Sequence, residues 1–474
     1  MAPMAPPTGL PAIRNVHATA GVVIVNALVV AAATRGWGPL SLLAALAVPL
    51  LVGLTRRPQR GVLVLAALVP FDGLLLLTPD LPGLAAGWKE LLVLATLAAS
   101  FAASPDARAS RGRRPPAWAP AVAGMLILAL ASAVLVGGRQ ALWGLKIAFF
   151  FVLVAAIVWR CPLDRRERDR LVSVLMVAGV ITALYGIVQQ AMGHARLHEL
   201  GYEYNSAIRF TRGLLRSFST FDNPFGFGYF LMLVLLVGVT VALAQPRRLR
   251  SRLFFLVLPL LLVGLGTSFV RGAWIGLAAG LTYVGFARFR AILLGLPVVI
   301  VALILLPGPI SSAAFASTSG VQRVDSWQAN LSDVIAHPLG VGVGSSNAAA
   351  EKVLGPDRIE EVFHPDNEYY RAVYELGVLG LWFILLLLTA AFRAARIASK
   401  TAPPEASVFA LATAAMVVAA AFASLVTTYF DTFPSDVYFW LLLGAVASEH
   451  ASRLQQEATE LAPVSLEEAP RSTA

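Results

Sequence analysis

Charge is scarce in this chain: 14% of its 474 residues are Asp, Glu, Lys or Arg, against roughly 25% in a soluble globular domain. So little charge excludes an ordinary water-soluble enzyme. Cysteine is nearly absent as well. The single Cys161 allows no intrachain disulfide, so any loop outside the apolar segments must be ordered by packing and hydrogen bonds. The apolar runs also lack the polar alternation of barrel strands, which excludes a membrane β-barrel. Acidic residues are the scarcer charge, 27 against 37 basic ones, for a net charge of +10. In a soluble protein that excess would suggest a nucleic-acid partner; here the basic residues gather between apolar runs, and no nucleic acid is expected.

What the chain does have is apolar length. Runs such as Val22–Ala33, Leu231–Ala244, Leu253–Leu265, Ala291–Leu306 and Leu376–Ala391 approach, with their flanks, the ~20 residues that cross a ~30 Å hydrocarbon layer. Backbone polar groups in lipid must be satisfied internally, so these runs are read as helices and the chain as an all-α polytopic integral membrane protein. About fourteen transmembrane helices are predicted, at 17–34, 39–54, 61–77, 88–104, 118–136, 142–160, 171–192, 226–244, 253–269, 272–287, 291–306, 371–392, 406–428 and 436–449. Segments 39–54, 272–287 and 436–449 are short and could each form one broken or re-entrant unit with a neighbour, so the count runs from 12 to 14. A signal peptide at the first span is the weaker alternative there, because the Pro-rich start carries little positive charge.

With the N-terminus on the cytoplasmic side, most basic residues fall on that side, among them Arg56, Arg57, Arg60, Arg165, Arg166, Arg248, Arg250, Arg288, Arg393, Arg396 and Lys400. The positive-inside rule then places both termini in the cytoplasm. The organisation that follows is N-terminal helices over 1–192, a first long outer loop over 193–225, central helices over 226–306, a large outer loop over 307–370, C-terminal helices over 371–450 and a tail over 451–474. The tail is polar from Gln455, contains Pro463 and Pro470, and is expected to be disordered.

Loops beyond ~12–15 residues are usually functional or disordered, and these two do not read as disordered. In the larger one Val321, Val324, Trp327, Leu331, Val334 and Ile335 recur at three or four residues with Arg323, Asp325, Asn330 and Asp333 between them. That spacing predicts an amphipathic helix, lying on the membrane surface or capping a cavity. The smaller loop holds Arg196, Arg209, Arg212 and Arg216 against only Glu199, Glu203 and Asp222. Guanidinium groups bind phosphate in bidentate fashion and keep their charge at any working pH, so an anionic ligand is expected on the outer face. Arg271 lies between two apolar runs with almost no loop, a costly place for a charge without a polar cavity or partner.

Other patterns carry less. His194 and His198 have the i, i+4 spacing of two metal ligands but no third ligand at a recognisable position, and no metal is expected. The run Gly340-Val341-Gly342-Val343-Gly344 has no Walker lysine and no strand-to-helix context, so close backbone packing or a turn is expected. In Phe363-His364-Pro365-Asp366-Asn367-Glu368, His364 is a candidate proton acceptor, its imidazole titrating at ~6.5, with Asp366 and Asn367 fixing its tautomer or binding substrate. The same residues fit an ordinary turn into a helix capped by Asn367.

Four stretches resemble, in order, the O-antigen ligase and polymerase superfamily of bacterial envelope glycosyltransferases. Arg216 to Pro224 looks like its Arg-x-x-Gly-Thr-Phe-x-Asn-Pro motif, with Ser219 where Gly is commoner. Thr267 to Trp274 is similar to its Ser-Arg-Gly-Ala-Trp element. Arg323-x-x-x-Trp327 with His337-Pro338-Leu339-Gly340 resembles the start of its long loop. His364 to Gly380 resembles its His-Asn helix opening, with Asp366 where many relatives have the histidine.

The resemblance implies a multi-helix fold in the bacterial inner membrane with the active site facing the periplasm. It implies a donor glycan on undecaprenyl diphosphate, an acceptor that is lipid A core or a growing glycan, and no cofactor. His364 is then the expected base. Arg216 and Arg271, with Arg212 and Arg323, are expected at the diphosphate, and Asp366, Asn367, Glu368 and His337 at the acceptor or behind the base. O-antigen ligation stands slightly ahead of polymerisation. A transporter or flippase of the same lipid-linked glycan is the alternative of another class; it should carry charges deep in its spans, where Lys89, Glu90 and Lys146 are the few to be found.

Overall fold

The computed structural model describes residues 53–77, 87–102, 115–295 and 325–461, apart from 55, 205–206, 212, 326, 356–357 and 359–360. The predicted span 17–34, most of 291–306, nearly all of 39–54, the signal-peptide alternative, and Arg212 and Arg323 lie outside these residues. Five described helices are long and apolar enough to cross a membrane, or six if one bent pair counts as a single span. This is an all-α, multi-pass membrane protein.

In chain order the helices are α1 (Gln59–Leu68), continued by a 3-10 segment Val69–Leu77, then α2 (Trp88–Ala102), α3 (Ala119–Val136), α4 (Gly138–Phe149), α5 (Val152–Arg160) and α6 (Arg165–Glu199). A two-stranded hairpin follows, β1 (Arg209–Thr211) and β2 (Leu214–Arg216). Beyond it come α7 (Pro224–Ala244), α8 (Leu249–Thr267), α9 (Arg271–Ala287), α10 (Leu331–Ala336), α11 (Asn347–Leu354), α12 (Glu368–Thr401), α13 (Pro404–Ala423) and α14 (Ser435–Leu461).

Several boundaries differ from the sequence expectation for local reasons. The span predicted at 142–160 is bent by 46° into α4 and α5. The helix predicted at 171–192 starts earlier, at Arg165, because Asp164 and Glu167 form a capping box in front of a charged first turn; a polar turn with a good cap is still helical. The tail expected to be disordered from Gln455 remains helical through Leu461. The first long loop is packed, as expected: Leu197, Tyr202, Ala207, Ile208, Leu215 and Phe218 form a small core of their own.

The bundle is layered around α7 and α13, whose apolar windows are each 83% buried, whereas that of α8 is 28% buried. α8 leaves Leu253, Leu256 and Val263 exposed on its far side, as a lipid-facing helix must. α9 approaches the centre through a ridge of Gly272, Gly276 and Gly280. A methyl at Gly276 would stand 2.5 Å from Met232 Sδ and 2.9 Å from the Ala419 carbonyl. Small residues four apart let membrane helices close to backbone contact, where dispersion and not the hydrophobic effect holds them.

The two ends of the bundle differ in charge. At one end the first turns of α6, α8 and α13 meet: Arg248 pairs with Asp169 and Glu405 at 3.1 and 3.0 Å, Arg250 with Asp169 at 2.8 Å, and Arg165 with Glu405. This is the basic end. The starts of α7, α9 and α12 lie at the other, described next.

Candidate functional site

The first arginine of interest is seated by side chains that clamp its loop onto α6. The buried Gln189 side chain donates to the Ser219 carbonyl at 2.9 Å and accepts from the Ser219 amide at 2.7 Å. Gln190 donates to the Leu215 carbonyl, and Ser219 Oγ donates to the Thr182 carbonyl. Ser219 itself is left-handed, with φ 55°. That explains why glycine is commoner there in the resembling family, since a side chain in this conformation costs roughly 1–2 kcal/mol.

The hairpin sets Arg209 directly opposite Arg216. Both guanidinium groups sit over the Phe225 ring, at 5.8 and 4.7 Å, and Arg216 Nε donates to the Ser268 carbonyl at 3.3 Å. That bond ties the hairpin to the turn before α9, where Phe269 is also left-handed at φ 50°. Arg271 opens α9. An arginine at the positive end of a helix dipole is electrostatically misplaced unless an anion compensates.

These charges act on one another. Burial pushes the Arg216 guanidinium down to about 10, helped by the like charges of Arg209 and Arg271, while Asp366 pulls it back up. Arg271 and Asp366, far apart from Arg216 in sequence, therefore lie close enough to act on its charge, as does Arg209, which the sequence shows only as one of the loop arginines. Nearby, Asp222 is reached by solvent yet ringed by protein. That burial, with Asp72 beside it, raises its carboxyl, against Lys89 and Arg209.

The turn carrying the remaining candidates is held on three sides. Asp366 is left-handed, φ 47°. Asn367 caps α12, accepting from the Tyr369 and Tyr370 amides, and donates to the Leu425 carbonyl at 3.0 Å. The indole N–H of Trp327 donates to the Pro365 carbonyl at 2.5 Å, its ring stacks on Tyr370 at 5.7 Å and 14°, and the Tyr370 hydroxyl donates to the Trp327 carbonyl at 2.8 Å. Fixing the Pro365 carbonyl fixes the peptide plane from which the Asp366 side chain projects. The amphipathic segment expected in the large loop is helical at 327–329 and in α10, and it packs on α12.

Beneath the turn is a buried ionic group that no sequence pattern announced. Arg371 lies 2.6 Å from Glu368, 3.8 Å from Glu375 and 3.9 Å from Asp431. Glu368 Oε2 accepts from the Phe430 amide, and Glu375 Oε1 from the Ser346 amide and hydroxyl. Glu368 thus belongs to the support of the turn. Burial pushes the Asp431 carboxyl up against the pull of Arg371, the Asn347 side chain and His364. His364 itself is half-exposed, with Nε2 3.5 Å from Glu351 Oε1.

α12 breaks at Gly377, φ 66°. The carbonyls of Tyr374 and Glu375 released by the break accept from the Val341 and Gly342 amides at 2.8 and 3.0 Å. A methyl at Gly377 would stand 2.2 Å from the Pro338 carbonyl. The Gly340–Gly344 run therefore serves close backbone packing, as expected. His337 is exposed and bonds the Asp333 carbonyl one turn back. His194 and His198 pack against Phe210 and Tyr204, and among the described residues no cluster of three His, Cys, Asp or Glu side chains includes them.

A membrane bundle with arginines and a strained carboxylate turn at one end defines the class: an integral, multi-pass membrane protein. Residues 254–385 match the family described as O-Antigen ligase, which supports the O-antigen ligase and polymerase superfamily. The matched segment contains Arg271, Trp327, His364 and Asp366. A comparison with curated proteins found no match.

Proposed function

We propose that the chain is a glycosyltransferase acting at this end of the bundle, on the periplasmic face of the bacterial inner membrane. It moves a glycan from an undecaprenyl-diphosphate carrier to an acceptor sugar hydroxyl. Ligation of O-antigen to lipid A core stands ahead of polymerisation of O-antigen or exopolysaccharide. The carrying observation is the convergence of Arg209, Arg216 and Arg271 beside Asp366: three like charges, one of them depressed by burial, favour a multiply charged anion over solvent.

In the proposed reaction a base takes the proton of the acceptor hydroxyl, its oxygen forms a bond to the anomeric carbon, and the carbon–oxygen bond to phosphate breaks. The electron pair leaves on undecaprenyl diphosphate, with inversion. Arg216 and Arg271, aided by Arg209, stabilise the charge that grows on the leaving oxygen. Arg212 and Arg323 remain proposed diphosphate contacts on sequence grounds. The base comes from the turn His364–Asp366. His364 is the residue expected from the sequence, while the action of Asp366 on Arg216 favours Asp366 as the group nearest the donor, with His364, His337 and Glu368 set behind it. Arginines supply the positive charge that a divalent ion would otherwise provide, so no metal is part of the proposal.

The carrier alternative loses support from the charges that suggested it. Lys89 pairs with Asp72 at 2.5 Å and Lys146 with Glu90 at 2.7 Å, neutral pairs and not a path of free charge. Envelope glycan analysis of a deletion strain tests the reading. Unmodified core with accumulated long lipid-linked chains is expected for a ligase, single repeat units mark a polymerase, and unaltered glycans reject both.

A further inference from the structure

Two cavities open at the basic end, and they differ in how their charge is met. One, of about 40 Å³, is lined by Arg165, Arg168 and Arg250, with Asp169 and Glu405 in the same wall. Its two acids pair with two of the three arginines, Arg165 and Arg250. The other, of about 480 Å³, is lined by Arg288, Arg396 and Lys400, with Tyr283, Phe286, Phe392 and Leu411 among the remaining wall. No acid lines it, and among the described residues no carboxylate pairs with any of its three cations. The cavity is the gap between α9 and α12, which lie side by side on α13 and touch through the edge-on rings of Tyr283 and Phe392 at 5.2 Å. Phe286 is 73% exposed at its mouth.

We propose that this cavity is a binding site for one anionic phospholipid of the leaflet at the basic end. Its phosphate is held by Arg288, Arg396 and Lys400, and its acyl chain lies along Phe286. Three cations that no described carboxylate matches, of which Arg288 reaches only the Ser407 hydroxyl at 3.5 Å, ask for a phosphate, and an apolar, exposed aromatic beside them asks for what a free phosphate lacks. Basic side chains near an anionic bilayer surface each contribute about a factor of five in affinity. The site has a second consequence. α9 runs from Arg271 to Arg288, and α12 from the Asn367 cap to Lys400, so the lipid would tie together the far ends of the two helices that present Arg271 and the Asp366 turn.

The test reads binding and does not depend on the proposed transfer reaction. The full-length protein, in nanodiscs of phosphatidylcholine with a minor fraction of phosphatidylglycerol, is released into native mass spectrometry. One retained phosphatidylglycerol is expected. Arg396→Gln with Lys400→Gln, both exposed positions, should weaken retention about thirtyfold. Arg247→Gln with Arg252→Gln, which removes the same charge elsewhere at that end, should leave it unchanged. Equal loss in both pairs would mean unspecific attraction and overturn the site. Displacement of the lipid by millimolar inorganic phosphate would also overturn it, assigning the cavity to free phosphate, and so would equal retention of phosphatidylcholine.

Discussion

Lysine at position 216 keeps a positive charge in the arginine group, yet it should make transfer steeply pH-dependent. The surroundings push the Arg216 guanidinium from its ordinary 12.5 down to about 10, a penalty on the charged form of roughly 3 kcal/mol at about 1.36 kcal/mol for each tenfold. A lysine amine meets the same penalty from a lower start, about 10.4 in water, and so sheds its proton within the range in which transfer is assayed. The charged form is the one present at low pH, so its contribution is retained there and lost as pH rises. The second-order constant kcat/KM reports the free enzyme. For Arg216→Lys it should begin to fall between about pH 7 and pH 9 and then decline about tenfold per pH unit toward the 10²–10³-fold deficit typical of a missing charge stabiliser, while the wild type shows no such fall over that range. Bound diphosphate restores the proton, so kcat at saturation should vary less. A further loss, constant with pH, follows from the missing bond to the Ser268 carbonyl and the face of Phe225. Initial rates with an undecaprenyl-diphosphate-linked repeat unit in nanodiscs measure both constants. Parallel pH profiles for variant and wild type would refute the reasoning.

Three further outcomes follow. His364→Ala and Asp366→Asn identify the base: the variant lacking it should lose about 10²–10⁴-fold in transfer with donor binding intact, and if neither does, the proposed displacement is wrong. Chelation with EDTA should leave transfer at its starting rate; loss restored by a single divalent ion would show a metal at work. Trp327→Phe keeps a ring on Tyr370 but removes the donor to the Pro365 carbonyl. We expect kcat to fall by ~10–100-fold with donor KM unchanged and amide exchange at 363–370 faster, and unchanged exchange would dismiss the clasp.

Much of this architecture could be read from hydropathy because each described span is an uninterrupted run. The segments predicted at 226–244 and 272–287 correspond to Pro224–Ala244 and Arg271–Ala287. Hydropathy stops where charge begins, so it missed the first turn of α6 and the last turns of α14, where capping and helix propensity take over. The bend between Phe149 and Val152 contains neither proline nor glycine and left no trace. At the site, Arg216 and Arg271 stood out as charges in apolar surroundings. The pairing of Arg209 with Arg216 needed the hairpin register, and the link from Trp327 to Pro365 spans 38 residues. Arg371, Glu375 and Asp431 each look like an ordinary charge at the end of a span; only the packing of two distant chain segments makes them one buried group.

The break at Gly377 divides one continuous run of sequence into two mechanical parts. Residues 368–376, with the Asp366 turn before them, are fastened to the Val341–Gly342 backbone and, through Arg371, to Asp431, while the part after Gly377 carries the exposed Trp382 and Leu385. An unbroken rod would carry every change of membrane thickness or tilt straight to its tip. An elbow whose freed carbonyls are already bonded to a neighbouring loop lets the lower part lean with the bilayer while the upper part keeps its place against the arginines. The lipid-facing half can then vary with the membrane it occupies, leaving the Asp366 turn in register with the arginines.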